Sequence, residues 1–136
     1  YKNTDILIMN SDLITNINLT DFYNSFKESN ADMSIATTSY NVNIPYAVLD
    51  VENGQVVSFK EKPTYNYFSN AGIYLIKKSL ISEIPDNEFY NATDLINKLL
   101  ELKRVVTTYP ILGYWLDVGK HEDYSKAQED IKHIVF

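Results

Sequence analysis

The stretch Tyr46-Ala47-Val48-Leu49-Asp50-Val51-Glu52-Asn53-Gly54-Gln55-Val56-Val57-Ser58-Phe59-Lys60 decides the fold. Two β-rich runs, 46–51 and 56–60, flank Glu52-Asn53-Gly54. Asn-Gly between such runs signals a hairpin, because the favoured two-residue turn needs positive φ at both central positions. Upstream, Met33 to Tyr40 is rich in Ile, Thr and Ser and reads as a strand. Before it, Leu19, Phe22, Tyr23 and Phe26 recur at helical spacing behind Asn18, a plausible cap. Asp5 to Met9 is a nearly continuous apolar run, which suits a strand buried on both faces; Asn10-Ser11-Asp12 is turn-like. Downstream, Pro63 ends the second hairpin arm, a polar aromatic loop follows, and Ala71 to Ile76 reads as a strand. Leu95, Ile96, Leu99, Leu100 and Leu102 line one side of a helix that starts at Asn91-Ala92-Thr93-Asp94, a capping-box pattern. Val105 to Tyr109 and Tyr114 to Leu116 read as strands joined across Pro110. From Glu122 the tail is helical, with two acids in its first turn and Tyr124, Ala127 and Ile131 on one face. Strands alternating with helices predict an α/β domain spanning 1–136, and the hairpin predicts a mixed rather than a purely parallel sheet.

The chain has 136 residues, 45% hydrophobic and 22% charged, with a net charge of -6. That suits one globular domain with a sizeable core. The negative charge argues against a nucleic-acid backbone as the main partner, but not against a nucleotide held by a metal and a few lysines. With no cysteine, disulfides and thiolate metal sites are excluded, which mildly favours a cytoplasmic origin. No signal peptide or membrane span is visible, and no initiator Met opens the chain. Asn18-Leu19-Thr20 and Asn91-Ala92-Thr93 match glycosylation sequons, yet both stand where a helix begins and read better as caps.

Two acids follow apolar strands: Asp12 after Ile6-Leu7-Ile8-Met9, and Asp117 in Trp115-Leu116-Asp117-Val118-Gly119. Ligands of open α/β sheets bind beyond the carboxyl ends of strands, and Mg²⁺ takes hard oxygens, commonly one or two carboxylates with phosphates and water. Taken singly, each acid is also an ordinary turn or cap residue. In Glu61-Lys62-Pro63, proline restricts Lys62 to extended backbone, so its ammonium is a fixed point charge for a phosphate, and Glu61 is an acceptor for hydroxyls. The plain alternative is a solvated strand end. Asn70-Ala71-Gly72-Ile73-Tyr74 sets glycine near the start of a strand, where it marks close approach of a ligand or another backbone, or else a bulge or tight crossing. Asn70 offers an amide to a hydroxyl. Tyr65, Tyr67 and Phe68 cluster after Lys62. No nucleophile elbow is present, the four glycines are scattered rather than forming a phosphate loop, and His121 and His133 read as helix-start and surface positions.

Read in order, Asn10-Ser11-Asp12-Leu13, Glu61-Lys62-Pro63, Asn70-Ala71-Gly72-Ile73-Tyr74 and Trp115-Leu116-Asp117-Val118-Gly119 resemble the sugar-1-phosphate nucleotidyltransferase family over almost the whole chain. Gly113 to Gly119, followed by Glu122-Asp123-Tyr124 and Ala127, is most similar to its bacterial mannose-1-phosphate guanylyltransferase-like branch. The resemblance implies a Rossmann-like three-layer α/β/α sandwich with a mixed sheet. It also implies a reaction in which a sugar 1-phosphate oxygen attacks the α-phosphorus of a nucleoside triphosphate, releasing pyrophosphate and forming a nucleotide-sugar. Asp12 and Asp117 would hold Mg²⁺. Lys62 would bind the sugar phosphate and Glu61 the sugar hydroxyls, and Asn70 and Gly72 would line the sugar pocket. In Tyr46-Ala47-Val48, Ala47 replaces a family glycine and would bring a methyl near the sugar. Asn10 stands where the family carries glycine before its metal aspartate, with Ser11 intervening. The family's Gly-rich loop, which grips the triphosphate, has no counterpart in these residues. The expectation is therefore the C-terminal part of a catalytic domain, truncated at its N-terminus and inactive alone. Nucleobase, sugar and oligomeric state are left open. Two rivals are a metal-dependent glycosyltransferase, with Asn10-Ser11-Asp12 as a degraded Asp-x-Asp motif, and a non-catalytic domain that senses sugar phosphates or nucleotides.

Overall fold

The computed structural model describes residues 4–135; residues 1–3 and 136 of the expected 1–136 span lie outside the described residues. Contacts divide the chain into two compact units: the chain up to Thr38 together with that from Asn70, and Ser39–Ser69.

The first unit is built on a four-stranded sheet. The strands are β1 (Ile6–Met9), β3 (Met33–Asn43), β6 (Thr64–Ile76) and β7 (Val106–Pro110), ordered β1-β6-β3-β7. β1 runs antiparallel to β6 and β3 parallel to β7, so the sheet is mixed as expected. β3 and β6 begin or end in the second unit. Strand alternation sorts the side chains to two faces. Ala71, Ile73 and Leu75 of β6 pack with Phe22 and Phe26 of α1 (Leu19–Glu28). Tyr74 and Ile76 pack with Leu95 and Leu99 of α2 (Ala92–Glu101). One helix therefore covers each face, which is the three-layer α/β/α arrangement. Full burial of a side chain such as Phe22 or Leu99 stabilises the fold by about 1.5–3 kcal/mol.

Both helices start as their sequences predict. Asn18 accepts from the Asp21 amide at 3.0 Å, and the Asp94 carboxylate accepts from the Asn91 amide at 2.8 Å. Each cap satisfies amide groups that the first helical turn leaves unpaired, worth about 1 kcal/mol.

Several expectations fail. β1 is an edge strand: Ile6 and Ile8 pack on the α2 side, while Leu7 and Met9 are exposed, so only one of its faces is covered. The loop expected after Pro63 is strand, since β6 begins at Thr64 and takes in Tyr65, Tyr67 and Phe68. Leu100 and Leu102 are exposed, whereas Leu95 and Leu99 are buried on the sheet-facing stripe of α2 and Ile96 packs beside them. In α3 (His121–Asp130) Ala127 alone is buried, while Tyr124 and Ile131 are exposed. A short strand, β2 (Leu13–Thr15), was not foreseen; it pairs antiparallel with β8 (Trp115–Asp117) as a separate two-stranded ladder.

The second unit carries the hairpin. β4 (Val48–Glu52) pairs with β5 (Gln55–Lys60) through Asn53 and Gly54, at φ +49° and +79°, as the Asn-Gly signal requires. A bulge follows Asp50.

Beside β8, the Tyr114 hydroxyl donates to Asp130 at 2.7 Å, and the Lys126 ammonium meets the same carboxylate at 2.6 Å. Burial, then this hydrogen bond to an anion, pushes the Tyr114 pKa up to about 12. The folded chain thus holds this proton more tightly than the unfolded chain, whose ordinary value is about 10. The contribution is complete below pH ~10 and is lost as pH rises towards ~12. In an alkaline titration followed by tyrosinate absorbance, Tyr114 should ionise after the bulk of the eleven tyrosines, as should Tyr109, which burial and its hydrogen bond to Asp21 also push up; Tyr114→Phe should remove one tyrosinate from that late fraction. A late fraction undiminished by the substitution would dissociate it from Tyr114.

Candidate functional site

The two acids singled out by the sequence meet in the β2–β8 ladder. Leu13 lies opposite Asp117, Ile14 opposite Leu116 and Thr15 opposite Trp115. The Val118 amide donates to the Asp12 carbonyl at 2.8 Å, carrying the pairing one residue further. Asp12 and Asp117 therefore sit on neighbouring rungs at one end of a single ladder, and both are exposed. Neighbouring rungs of a regular ladder project to opposite faces. Asp12 lies in the turn before β2, outside that alternation, so its carboxylate is not forced away from that of Asp117.

This donor set consists of two solvent-accessible carboxylates on fixed backbone. It fits an ion such as Mg²⁺, which commonly takes one or two protein carboxylates and fills its octahedron with phosphate and water. It does not resemble an all-protein cage: among the described residues no group of three or more His, Cys, Asp or Glu could hold a metal.

Asn70 and Gly72 form the second cluster. Gly72 has φ +72°, a left-handed kink within β6. The Asn70 carbonyl oxygen accepts from the Gly72 amide at 2.9 Å, and its amide donates to the Tyr74 hydroxyl at 2.9 Å. The Asn70 side chain thus holds the kink through both ends of its amide. The space a Cβ would take at Gly72 is occupied by Asn10, with Nδ2 at 2.7 Å, and by Leu13 Cδ1 at 3.3 Å. Among the readings open for this glycine, a tight crossing of protein over a left-handed kink is what its neighbours and φ show.

The remaining predicted residues lie in the second unit. Val48 pairs with Lys60, so Tyr46-Ala47 and Glu61-Lys62 flank the same open end of the β4–β5 hairpin. All four are exposed. Lys62 does not take the extended backbone expected before proline: its φ is +42°. It stands in the bend between β5 and β6, and that reversal overrides the local preference of a pre-proline residue. The bend is closed by the Ile44 amide on the Pro63 carbonyl at 3.1 Å and by Thr64 Oγ1 on Asn43 at 2.7 Å. The Lys60 ammonium sits 5.7 Å from the centre of the Tyr65 ring.

Two residues carry more of the site than their sequence context suggested. The Trp115 indole N–H donates to the Ala71 carbonyl at 2.9 Å, and the Asn10 amide donates to the Gly72 carbonyl at 2.9 Å. Trp115 stood in the quoted motif, but only as the residue before Leu116. A lone tryptophan beside a candidate acid was the available signal.

Comparison with known proteins follows the same outline. A 30% identical stretch of 125 residues, 89% of this chain, aligns with the Arabidopsis thaliana protein named "Probable mannose-1-phosphate guanylyltransferase 3", covering 38% of its length. A glucose-1-phosphate adenylyltransferase of Acetivibrio thermocellus is 26% identical over 96% of the chain and 34% of its own length. The crystal structure of HddC from Yersinia pseudotuberculosis superposes with a TM-score of 0.64 at 23% identity, over 96% of this chain and 56% of that one. The chain thus spans between a third and just over half of these relatives. No helix among the described residues is long and apolar enough to cross a membrane. The model of the nucleotidyl transferase family matches residues 1–134, and the chain belongs to that family.

Proposed function

We propose that this chain contributes the sugar-phosphate side and the metal acids of a sugar-1-phosphate nucleotidyltransferase of the bacterial mannose-1-phosphate guanylyltransferase-like branch. The observation that carries the reading is the β2–β8 ladder, which holds Asp12 and Asp117 on adjacent rungs in a chain of this family. The reaction joins a sugar 1-phosphate oxygen to the α-phosphorus of a nucleoside triphosphate and expels pyrophosphate, giving a nucleotide-sugar, here a GDP-sugar, for glycoconjugate or polysaccharide synthesis in the cytoplasm. No covalent intermediate is needed, so the protein's part is positioning and charge neutralisation. Asp12 and Asp117 would hold Mg²⁺, which when bound offsets phosphate charge. Lys62 would present its ammonium to the sugar phosphate, and Glu61 would accept from sugar hydroxyls. Tyr46 and Ala47 would border the sugar, with the Ala47 methyl narrowing the space. Asn70, engaged with Gly72 and Tyr74, would shape the pocket through the kink it holds.

Pyrophosphate release tests this. The whole protein, given a sugar 1-phosphate, a nucleoside triphosphate and Mg²⁺, is expected to release it. The 136 residues alone are expected to release none, because their four glycines form no triphosphate loop. Transfer from a finished nucleotide-sugar without pyrophosphate release would instead identify a glycosyltransferase. Binding of sugar phosphate with no turnover by the whole protein would identify a sensor.

A further inference from the structure

The three-rung β2–β8 ladder is too small to hold two carboxylates in place by itself, since an isolated two-stranded pair is marginally stable at best. Its position is set from outside, by two hydrogen bonds to consecutive carbonyls of β6. Asn10, two residues before Asp12, donates its amide to the Gly72 carbonyl at 2.9 Å. Trp115, two residues before Asp117, donates its indole N–H to the Ala71 carbonyl at 2.9 Å. Both approaches to the acids are thus tied to one dipeptide at the glycine kink. Trp115 and Asp117 share a face of β8 by strand alternation, and Leu13, opposite Asp117, reaches the same kink. The Trp115 side chain, partly buried, packs against the core that Phe22, Ala71 and Ile73 form, which restrains its orientation.

We propose that Trp115 is a positioning residue for the acid pair: its indole N–H, through the Ala71 carbonyl, fixes Asp117 relative to Asp12. This rests on the reading of the two aspartates as metal acids. Groups that orient metal ligands from behind commonly change metal affinity 10–100-fold when lost.

The test uses the whole protein and Mn²⁺ alone as the probe, with free Mn²⁺ read by electron paramagnetic resonance. Wild type is expected to bind Mn²⁺ that Mg²⁺ displaces, and Asp117→Asn to lose it. Trp115→Phe is expected to weaken binding about 10-fold. Because Phe also removes ring volume, a second variant replaces Trp115 by β-(3-benzothienyl)alanine, which keeps the two rings and lacks the N–H. It should weaken Mn²⁺ binding similarly, while 7-azatryptophan, which keeps the N–H, should restore it. Urea midpoints measured alongside separate this from a merely structural role, which would lower the midpoint and leave Mn²⁺ affinity unmoved. If the benzothienyl variant binds Mn²⁺ as wild type does while Asp117→Asn does not, the positioning role is wrong and the metal reading stands. If wild type binds no Mn²⁺, both fall together.

Discussion

Asp117→Asn in the whole protein is expected to lower nucleotide-sugar formation by at least about 100-fold, the usual scale for removing one group that stabilises transition-state charge. Asparagine keeps the shape and one oxygen but removes the negative charge that would attract a divalent cation. The fold should hardly respond. Asp117 is exposed at a ladder end and its backbone pairing with Leu13 does not involve the carboxylate, so stability should change by no more than about 0.5 kcal/mol. Steady-state pyrophosphate release and a urea melt check the two halves separately. Retained activity in a folded variant would remove Asp117 from the proposed metal pair. Lost activity accompanied by a lowered urea midpoint would count as a folding defect rather than as support.

Gly72→Ala is expected to destabilise the chain by about 2–5 kcal/mol. Holding alanine at φ +72° costs about 1–2 kcal/mol, and forcing its methyl into a filled space costs about 1–3 kcal/mol. The methyl would meet the Asn10 amide, with Nδ2 2.7 Å away. Relief would require the Asn10 side chain to swing off the kink, while its backbone amide can stay on the Gly72 carbonyl. Gly54→Ala is the control. Gly54 has a comparable φ of +79°, yet nothing lies within 4 Å of an added Cβ. Only the backbone cost of about 1 kcal/mol should remain there. Equal shifts of the urea midpoint, with unchanged slopes, would show that packing over Gly72 contributes nothing.

Much of the fold was legible because it follows from local chemistry. The Asn53-Gly54 turn, the Asn18 and Asn91 caps and the Phe22/Phe26 stripe each depend on residues within one turn of each other. The failures are all matters of neighbours. Ile6 to Met9 reads as doubly buried, but burial of Leu7 and Met9 depends on what lies beyond the sheet edge, and periodicity cannot report that. Thr64 to Asn70 reads as loop because polar and aromatic residues mix there, and it becomes strand as part of the thirteen-residue β6. Leu13-Ile14-Thr15 is too short to register as a strand until Trp115-Leu116-Asp117 lies beside it.

The same division runs through the site. The sequence by itself determined which groups are available: two acids after apolar strands, a lysine before proline, a glycine-opened strand, and no cysteine. Those are properties of residue type and short spacing. Only the tertiary structure decided that Asp12 and Asp117, more than a hundred residues apart, share a ladder. It also decided that Gly72 sits in a left-handed kink under the Asn10 side chain, and that Trp115 anchors the ladder through Ala71. These contacts are long-range, and their donors and acceptors carry no mark in the sequence. An indole N–H or a strand carbonyl is satisfied by whichever group the fold brings within hydrogen-bonding distance.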